Sequence, residues 1–342
     1  MMEALTHISK LAQNCSQKNP VIVIGSGASI PFGLPSMKPV ADYLVSTVKP
    51  QSPDEEDSWL LIKTALANGD HLEQALLAHP LVPSLIHQVV RATWELIAKH
   101  DRDVFTDAIH NEFHPPLSRL FDHFLNTSNS TVDVVTTNYD RVIEYACDVA
   151  GIHYASAFQP SYITTFDSQD KRTLTYRGKP VQTVKIWKVH GSLDWFVRSD
   201  GVTIRSPLFT EIPSALEPLI VTPGVSKYER LTDEPFRSTL QGADKALSNA
   251  NGYICFGFGF RDRQIEPKMV ERLARKGVPI VVATKVLTEE AAYFLRHKAR
   301  ANFLALEESP TGTRARYSEN WDGVELPDDY WSIEGFLKLT TG

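Results

Sequence analysis

The chain has 342 residues, of which 42% are hydrophobic, 10% aromatic and 22% charged, a composition typical of a soluble globular protein with one large domain. Its formal net charge of -6, from 35 Lys and Arg against 41 Asp and Glu, disfavours a protein that coats a phosphate backbone. We therefore expect no direct binding of nucleic acid.

Residues 1–49 predict a helix, a buried strand and a second helix. Apolar residues recur on one side of residues 3–14, which predicts an amphipathic helix, and the charged residues there exclude a secretory signal. The apolar run at 20–25 ends in glycine and is typical of a buried parallel strand. A tight loop at 25–29 then leads to a helix predicted at 36–48.

The segment 50–126 is predicted to be helical throughout. Apolar residues recur with a period near 3.6 in four stretches, namely 59–67, 72–77, 85–98 and 117–124. No strand pattern interrupts them, and the segment is too long for a simple crossover between two strands. We interpret it as a helical module inserted into an α/β core formed by residues 20–49 and 127–310, within a single domain.

Strand and helix patterns alternate through the rest of the chain. A strand at 132–137 precedes a helix at 140–150, which Gly151 ends. Further strands are predicted at 185–190, 195–197, 219–222, 253–257, 279–283 and 302–306, and further helices at 237–248, 264–275 and 288–300. This alternation predicts a Rossmann-like, doubly wound and mostly parallel sheet. Residues 311–342 are interpreted as a polar C-terminal tail that ends in a short helix.

The cysteines and histidines give no sign of a metal site or a disulfide framework. The three cysteines, Cys15, Cys147 and Cys255, lie far apart and include no Cys-x-x-Cys pair, which fits a reducing cytoplasm. His110 and His114 have the spacing of two ligands on one helix face, but prolines follow them at once and would end the helix. No apolar run reaches the length of a membrane span. We expect a cytoplasmic protein without zinc.

The glycine loop after the first strand is a candidate site for an anion. Glycines allow a pyrophosphate to approach the backbone closely, and free N–H groups with the positive end of a helix favour negative charge. Ile30 occupies the third glycine position of the usual dinucleotide motif, so a plain strand-to-helix turn explains the loop equally well. The candidate residues are Gly25, Ser26, Gly27, Ala28 and Ser29.

Two polar clusters end later strands. Thr137, Asn138 and Asp140 follow the strand at 132–137, where ligands bind in open α/β sheets, although Asn138 or Asp140 could instead cap the next helix. His190 ends the strand at 185–190 and is the natural general base, since only histidine titrates near neutral pH without help. The chain has 11 histidines, and most histidines are surface or hydrogen-bonded side chains.

A second glycine cluster follows the strand at 253–257. Gly257 and Gly259 precede Arg261 and Asp262, which have the chemistry to bind a phosphate and a ribose hydroxyl respectively. A turn with a surface ion pair is the alternative.

The order of these motifs resembles the sirtuin fold, specifically the bacterial sirtuin-like branch used in antiphage defence. The matching segments are residues 25–29 with 32–35, 136–140, 190–192 and 257–262, and they extend over residues 21–306. Deacylating sirtuins carry four zinc cysteines, which this chain lacks, and they usually have glutamine where it has Thr137. The resemblance therefore implies an NAD⁺ glycohydrolase in which water is the acceptor.

The resemblance also implies a biological setting. Members of this branch deplete cellular NAD⁺ as toxic effectors, in a form of abortive infection. They work with a HerA-type ATP-driven DNA translocase, a short prokaryotic Argonaute or a fused sensor domain. For this chain we expect a separate partner or self-assembly into a homo-oligomer, and no membrane association.

The roles implied by the resemblance are as follows. The loop at 25–29 holds the pyrophosphate, Asn138 orients the ribose and the attacking water, and His190 accepts a proton. Asp140 holds the nicotinamide carboxamide or a structural water. The adenosine side falls to Arg261 and Asp262, with Thr284 lining the adenine pocket.

Three other functions compete with NAD⁺ hydrolysis. A sensor or structural subunit that binds NAD⁺ or ADP-ribose without turnover would keep the glycine loop but would not need His190. A sirtuin-type deacylase or ADP-ribosyltransferase would need a groove for its acceptor. A nuclease would need clustered carboxylates of the two-metal kind, which the sequence does not show.

Overall fold

A nine-stranded, mostly parallel sheet forms the centre of the fold. The computed structural model describes residues 2–126, 130–158, 162–166, 174–207, 209–222, 233–262, 264–275, 277–299 and 302–341. Across the sheet the strands are β15 (Asn320–Leu326), β14 (Gly312–Tyr317), β13 (Phe303–Ser309), β12 (Ile280–Thr284), β11 (Tyr253–Phe256), β1 (Val21–Ile24), β2 (Thr131–Thr136), β7 (Thr183–Lys188) and β3 (His153–Ala155). All neighbours are parallel except the β13–β14 and β14–β15 pairs. The doubly wound, mostly parallel sheet predicted from the sequence is confirmed.

Helices cover both faces of this sheet, and further helices pack together beside it. They are α1 (Met2–Ser16), α2 (Met37–Thr47), α3 (Pro53–Ala67), α4 (Leu72–Ala78), α5 (Pro83–Ile109), α6 (Pro116–Leu125), α7 (Val142–Ala150), α8 (Phe236–Asn249), α9 (Glu266–Leu273), α10 (Glu289–Tyr293) and α11 (Ile333–Thr341). Alternate residues of β1 point to opposite faces. Ile22 and Ile24 join the core under α1, α6, α7 and α11, whereas Val21 and Val23 join the core under α8 and α9. None of the helices in the described ranges has the length and apolar character needed to span a bilayer.

A second, antiparallel sheet lies beside the first. It contains β10 (Leu216–Ile220), β8 (Gly191–Arg198), β9 (Thr203–Arg205) and β4 (Thr164–Thr165), and a separate hairpin pairs β5 (Thr175–Tyr176) with β6 (Lys179–Pro180). The strand predicted at 219–222 therefore belongs to this sheet and not to the parallel one. It pairs antiparallel with β8, and the described residues between β8 and β10 contain no helix of the kind that joins parallel strands.

The predicted helical segment 50–126 divides between two cores. Helices α3, α4 and α5 pack with α2 around a core of their own that includes Trp59, Leu72 and Leu85. Helix α6 packs instead against the parallel sheet, where Leu120 and Phe121 are fully buried. The segment interpreted as one inserted module therefore includes a helix of the sheet's own layer.

The C-terminal region is an integral part of the sheet, so its interpretation as a tail was wrong. Strands β14 and β15 extend the parallel sheet as an antiparallel hairpin. Thr313 and Ala315 alternate with partly exposed residues on β14, and Arg314 pairs across the edge with Glu325 at 2.6 Å. Such a charged edge reads as polar in the sequence, although charges at an edge strand are a normal protection against further pairing.

Two glycine turns touch where β1 and β11 end. The Gly25 N–H donates to the Phe256 carbonyl at 3.0 Å, and the Gly27 N–H donates to the Gly257 carbonyl at 3.1 Å. A Cβ atom on Gly25 would lie 2.4 Å from the Gly257 oxygen. Gly257 has a φ of +56°, and a Cβ there would lie 2.3 Å from the Ala28 nitrogen. Only glycine allows these two backbones to come so close.

This contact predicts an unusually costly substitution. Gly257→Ala should lower the free energy of unfolding by about 2–4 kcal/mol, because left-handed strain and overpacking add. The matched control is Gly151→Ala, since Gly151 also has positive φ (+65°) but has open space around its Cβ position. The control substitution should lower the free energy of unfolding by only about 1–2 kcal/mol. Urea unfolding of both variants tests this, and equal losses would contradict it.

Candidate active site

A cleft of about 450 Å³ opens at the carboxyl ends of the central parallel strands. Strand β1 pairs with β2 on one side and β11 on the other, so the chain leaves the sheet in opposite directions there. Such a switch point is where open α/β sheets bind ligands. The predicted site residues that line this cleft are Gly25, Ser26, Gly27, Ser29, Thr137, Asn138, Asp140, His190, Gly257, Gly259, Arg261, Asp262 and Thr284. Ala28 is buried and does not line the cleft.

The first glycine turn presents fewer N–H groups than its sequence suggests. Residues 26–28 and 30–32 form two short 3₁₀ turns, and helix α2 begins only at Met37. The N–H groups of Gly25, Gly27, Ala28 and Ser29 donate to carbonyls within the protein. Ser26, whose N–H donates to no described residue, lies at the cleft wall and is a backbone donor available to an anion.

Asn138 holds three chain segments together. The Thr136 hydroxyl donates to the Ile24 carbonyl at 2.8 Å and accepts from the Asn138 N–H at 3.0 Å. The Asn138 side-chain nitrogen donates to the Gly25 carbonyl and to the Ser29 hydroxyl, both at 3.1 Å. The amide nitrogen therefore fixes the glycine turn, and the amide oxygen is the part of Asn138 suited to contact a ligand.

Asp140 lies beside Asn138 with a buried carboxyl group. One of its oxygens accepts from the N–H of Val142, the first residue of α7, at 3.2 Å, but the N-cap position itself is Arg141. Burial raises the pKa of the Asp140 carboxyl from 3.8 to about 6, although the positive charge of Lys188 opposes the shift. A group with this pKa changes its protonation close to neutral pH.

A network of buried charges supports the strand ends behind the cleft. The Lys188 ammonium donates to the main-chain carbonyl of Asp140 and lies 3.0 Å from the Glu144 carboxylate. The Arg141 N–H donates to the Asp101 carboxylate at 2.7 Å, and the two side chains form an ion pair. Lys188 and Asp101 were not predicted. The signal that could have indicated Lys188 is its position at the end of an apolar strand. The sequence of helix α5 contains no comparable signal for Asp101.

His190 lies at the corner where the chain passes from one sheet to the other. Gly191 has a φ of +85°, and a Cβ there would lie 2.0 Å from the Leu219 oxygen, so the corner requires glycine. The Val221 N–H donates to the His190 carbonyl at 2.9 Å. The His190 Nε2 atom lies 2.9 Å from the Asp262 Oδ2 atom, and both side chains are buried. Asp262 was expected on the adenosine side, but its carboxylate faces the predicted base.

Further polar groups of the cleft wall are Arg261 and Thr284. The Arg261 guanidinium lies 3.1 Å from the Glu290 carboxylate and is partly exposed. The Thr284 hydroxyl donates to the Val286 carbonyl at 3.1 Å. Lining residues that the sequence did not single out are Met37, Val40, His71, Leu72, Glu73, Ile97, Tyr139, Lys285 and Thr288. Several belong to the helical module, and no local pattern could have shown which of its residues reach the cleft.

Known proteins are similar to this chain. A family model described as SIR2-like domain matches residues 132–321, more than half of the chain. A Sir2 homologue mutant in complex with 2′-O-acetyl ADP ribose is 12% identical, with 97% of this chain and 96% of that chain covered and a TM-score of 0.48. A Sir2 homologue–NAD complex is 14% identical, with 82% and 84% covered and a TM-score of 0.44. No curated protein matches the chain.

The raised pKa of Asp140 predicts a change of stability with pH. The ionised form is disfavoured in the folded protein, so the contribution of Asp140 to stability falls as pH rises from about 4 to about 6. Asp140→Asn lacks this loss and should gain about 2 kcal/mol relative to the parent between about pH 4.5 and pH 7. Urea unfolding at about pH 4.5 and pH 7 measures it. Asp122→Asn, at an exposed position on α6, is the control, and a variant that shifts no more than this control would contradict the prediction.

Proposed function

Because this chain belongs to the SIR2-like domain family, we propose that it binds NAD⁺ in the described cleft and hydrolyses the bond between nicotinamide and ribose. One observation carries the proposal. Asn138, Asp140 and His190 come from two different strand ends and line one cleft beside the glycine turn.

The glycine turn supports a position for the pyrophosphate. The N–H group and hydroxyl of Ser26 line the cleft where the backbone carries no side chain larger than serine. A phosphate can approach such a backbone closely and be held by charge-assisted hydrogen bonds. Arg261 and Thr284 also line the cleft and are assigned to the adenosine.

Cleavage of the nicotinamide–ribose bond requires correct positioning of the ribose and the water more than it requires a strong acid. As the bond to nicotinamide breaks, positive charge develops on ribose C1′ and the ring oxygen, and nicotinamide leaves with the bonding electron pair. The Asn138 amide oxygen orients the ribose and the attacking water, and Asp140 holds the carboxamide or a structural water. Water forms the new bond to C1′, and His190 accepts the proton that the water loses.

The acceptor we propose is water. The chain lacks the four cysteines that a sirtuin deacylase uses for zinc, and its helical module contributes His71, Glu73 and Ile97 to the wall of the cleft. The motif resemblance supports a place in the zinc-lacking bacterial branch, as an effector that depletes NAD⁺ in the cytoplasm during abortive infection. It also supports action as a homo-oligomer with a partner such as a HerA-type ATPase.

Substitution of the two central residues tests the proposal. His190→Ala and Asn138→Ala should each lower nicotinamide release from NAD⁺ by at least about 100-fold, because proton transfer and ribose positioning are lost. His114→Ala, at an exposed position outside the cleft, should keep the parental rate. Chromatographic assay of free nicotinamide, with and without candidate partners, measures the effect, and thermal unfolding checks that each variant folds.

Other results would redirect the assignment. Unchanged turnover in both variants would contradict the roles given to His190 and Asn138. Tight NAD⁺ binding without any release of nicotinamide, alone or with partners, would indicate a sensor. Turnover that depends on an acylated peptide would indicate a deacylase.

A further inference from the structure

We propose that Asp262 is a positioning residue that selects the proton-accepting form of His190. The effect of Asp262 on catalysis rests on the proposed function. Its effect on which ring nitrogen of His190 carries the proton does not. Asp262 is thereby assigned to the reacting end of the cleft and not to the adenosine.

Asp262 is held rigidly where it faces the histidine. Its Oδ1 atom accepts from the Gln264 N–H at 2.8 Å and from the Ile265 N–H at 3.1 Å. These bonds fix the carboxylate at the start of α9 and direct the second oxygen, Oδ2, towards the ring of His190. The neighbouring cation, Arg261, forms its ion pair with Glu290 on another helix.

The contact with His190 favours one tautomer of the ring. The Nε2 and Oδ2 atoms lie 2.9 Å apart, but the contact does not have the geometry of a hydrogen bond. A rotation of the ring turns it into a hydrogen bond, as catalytic contacts often do when substrate binds. A carboxylate can only accept, so the proton of the neutral ring belongs on Nε2, and Nδ1 is left as the base.

Burial makes this preference strong. Only 9% of the His190 side chain and 6% of the Asp262 side chain are exposed, so water competes little for either group. When His190 takes a proton from the attacking water, the adjacent carboxylate also stabilises the imidazolium that forms. The pair therefore orients the base before the reaction and balances its charge afterwards.

Asp262→Asn is the sharpest test, because it reverses the preference while it keeps the local fold. The asparagine oxygen can still accept from Gln264 and Ile265, so its amide group must donate towards His190 and forces the proton onto Nδ1. We expect kcat for nicotinamide release to fall by about 10²–10⁴-fold with little change in KM, as for a base held in the wrong tautomer. Asp244→Asn, which removes a carboxylate 4.0 Å from Lys268 outside the cleft, should keep the parental kcat.

A double variant separates positioning from a general structural role. If Asp262 acts through His190, Asp262→Asn should cause no further loss of kcat in the His190→Ala background. Additive losses in the double variant would overturn the proposal.

Nitrogen-15 NMR of the histidine rings shows which nitrogen of His190 carries the proton, and it requires no catalytic turnover. The His190 signals are assigned by their loss in His190→Ala, and the neutral ring in the parent should carry its proton on Nε2. A parent ring protonated on Nδ1 would overturn the proposal even if Asp262→Asn failed to fold. If the protein released no nicotinamide under any condition, the proposed function would fail, while the NMR result would still decide the pairing.

Discussion

The site depends on the direct contact between two backbone turns. Gly25 and Gly27 end β1, Gly257 ends β11, and the two turns share hydrogen bonds at 3.0 and 3.1 Å with no room for a side chain between them. Asn138 ties the end of β2 to the same place through the Gly25 carbonyl. Three strand ends are thus fixed relative to one another by main-chain contacts and by the Asn138 side chain, and the cleft lies beside them.

The buried ion pairs behind these strand ends contribute little net stability to the fold. Buried ion pairs lose their hydration, and apolar residues of the same size often stabilise a fold as well or better. The pairs Lys188–Glu144 and Asp101–Arg141 nevertheless lie directly behind the cleft. Lys188 binds the main chain of Asp140, so these charges hold the polar strand ends in position and influence the pKa of the Asp140 carboxyl. Their location fits a contribution to the geometry of the site more than to stability.

Features that depend on the local pattern of apolar and polar residues could be predicted from the sequence. Apolar runs located β1, β2, β7, β11 and β12, and polar residues at strand ends indicated one cleft because the carboxyl ends of parallel strands share an edge. Long-range contacts had no such signal. The pairing of Asp262 with His190 depends on how two distant loops meet, and the charged pattern of residues 312–326 concealed the hairpin of β14 and the edge strand β15. Most of the N–H groups expected to bind an anion donate to carbonyls of the same turn or of residues 256–257, which glycine content alone cannot reveal.

In the proposed complex, NAD⁺ lies across the glycine turn with its nicotinamide ribose between Asn138 and His190. The most direct test is a crystal structure of the inactive His190→Ala protein with intact NAD⁺. The account predicts the pyrophosphate against the N–H group of Ser26 and the nicotinamide ribose beside the amide oxygen of Asn138. NAD⁺ bound elsewhere on the protein, or in the cleft with its adenosine at Asn138, would contradict it.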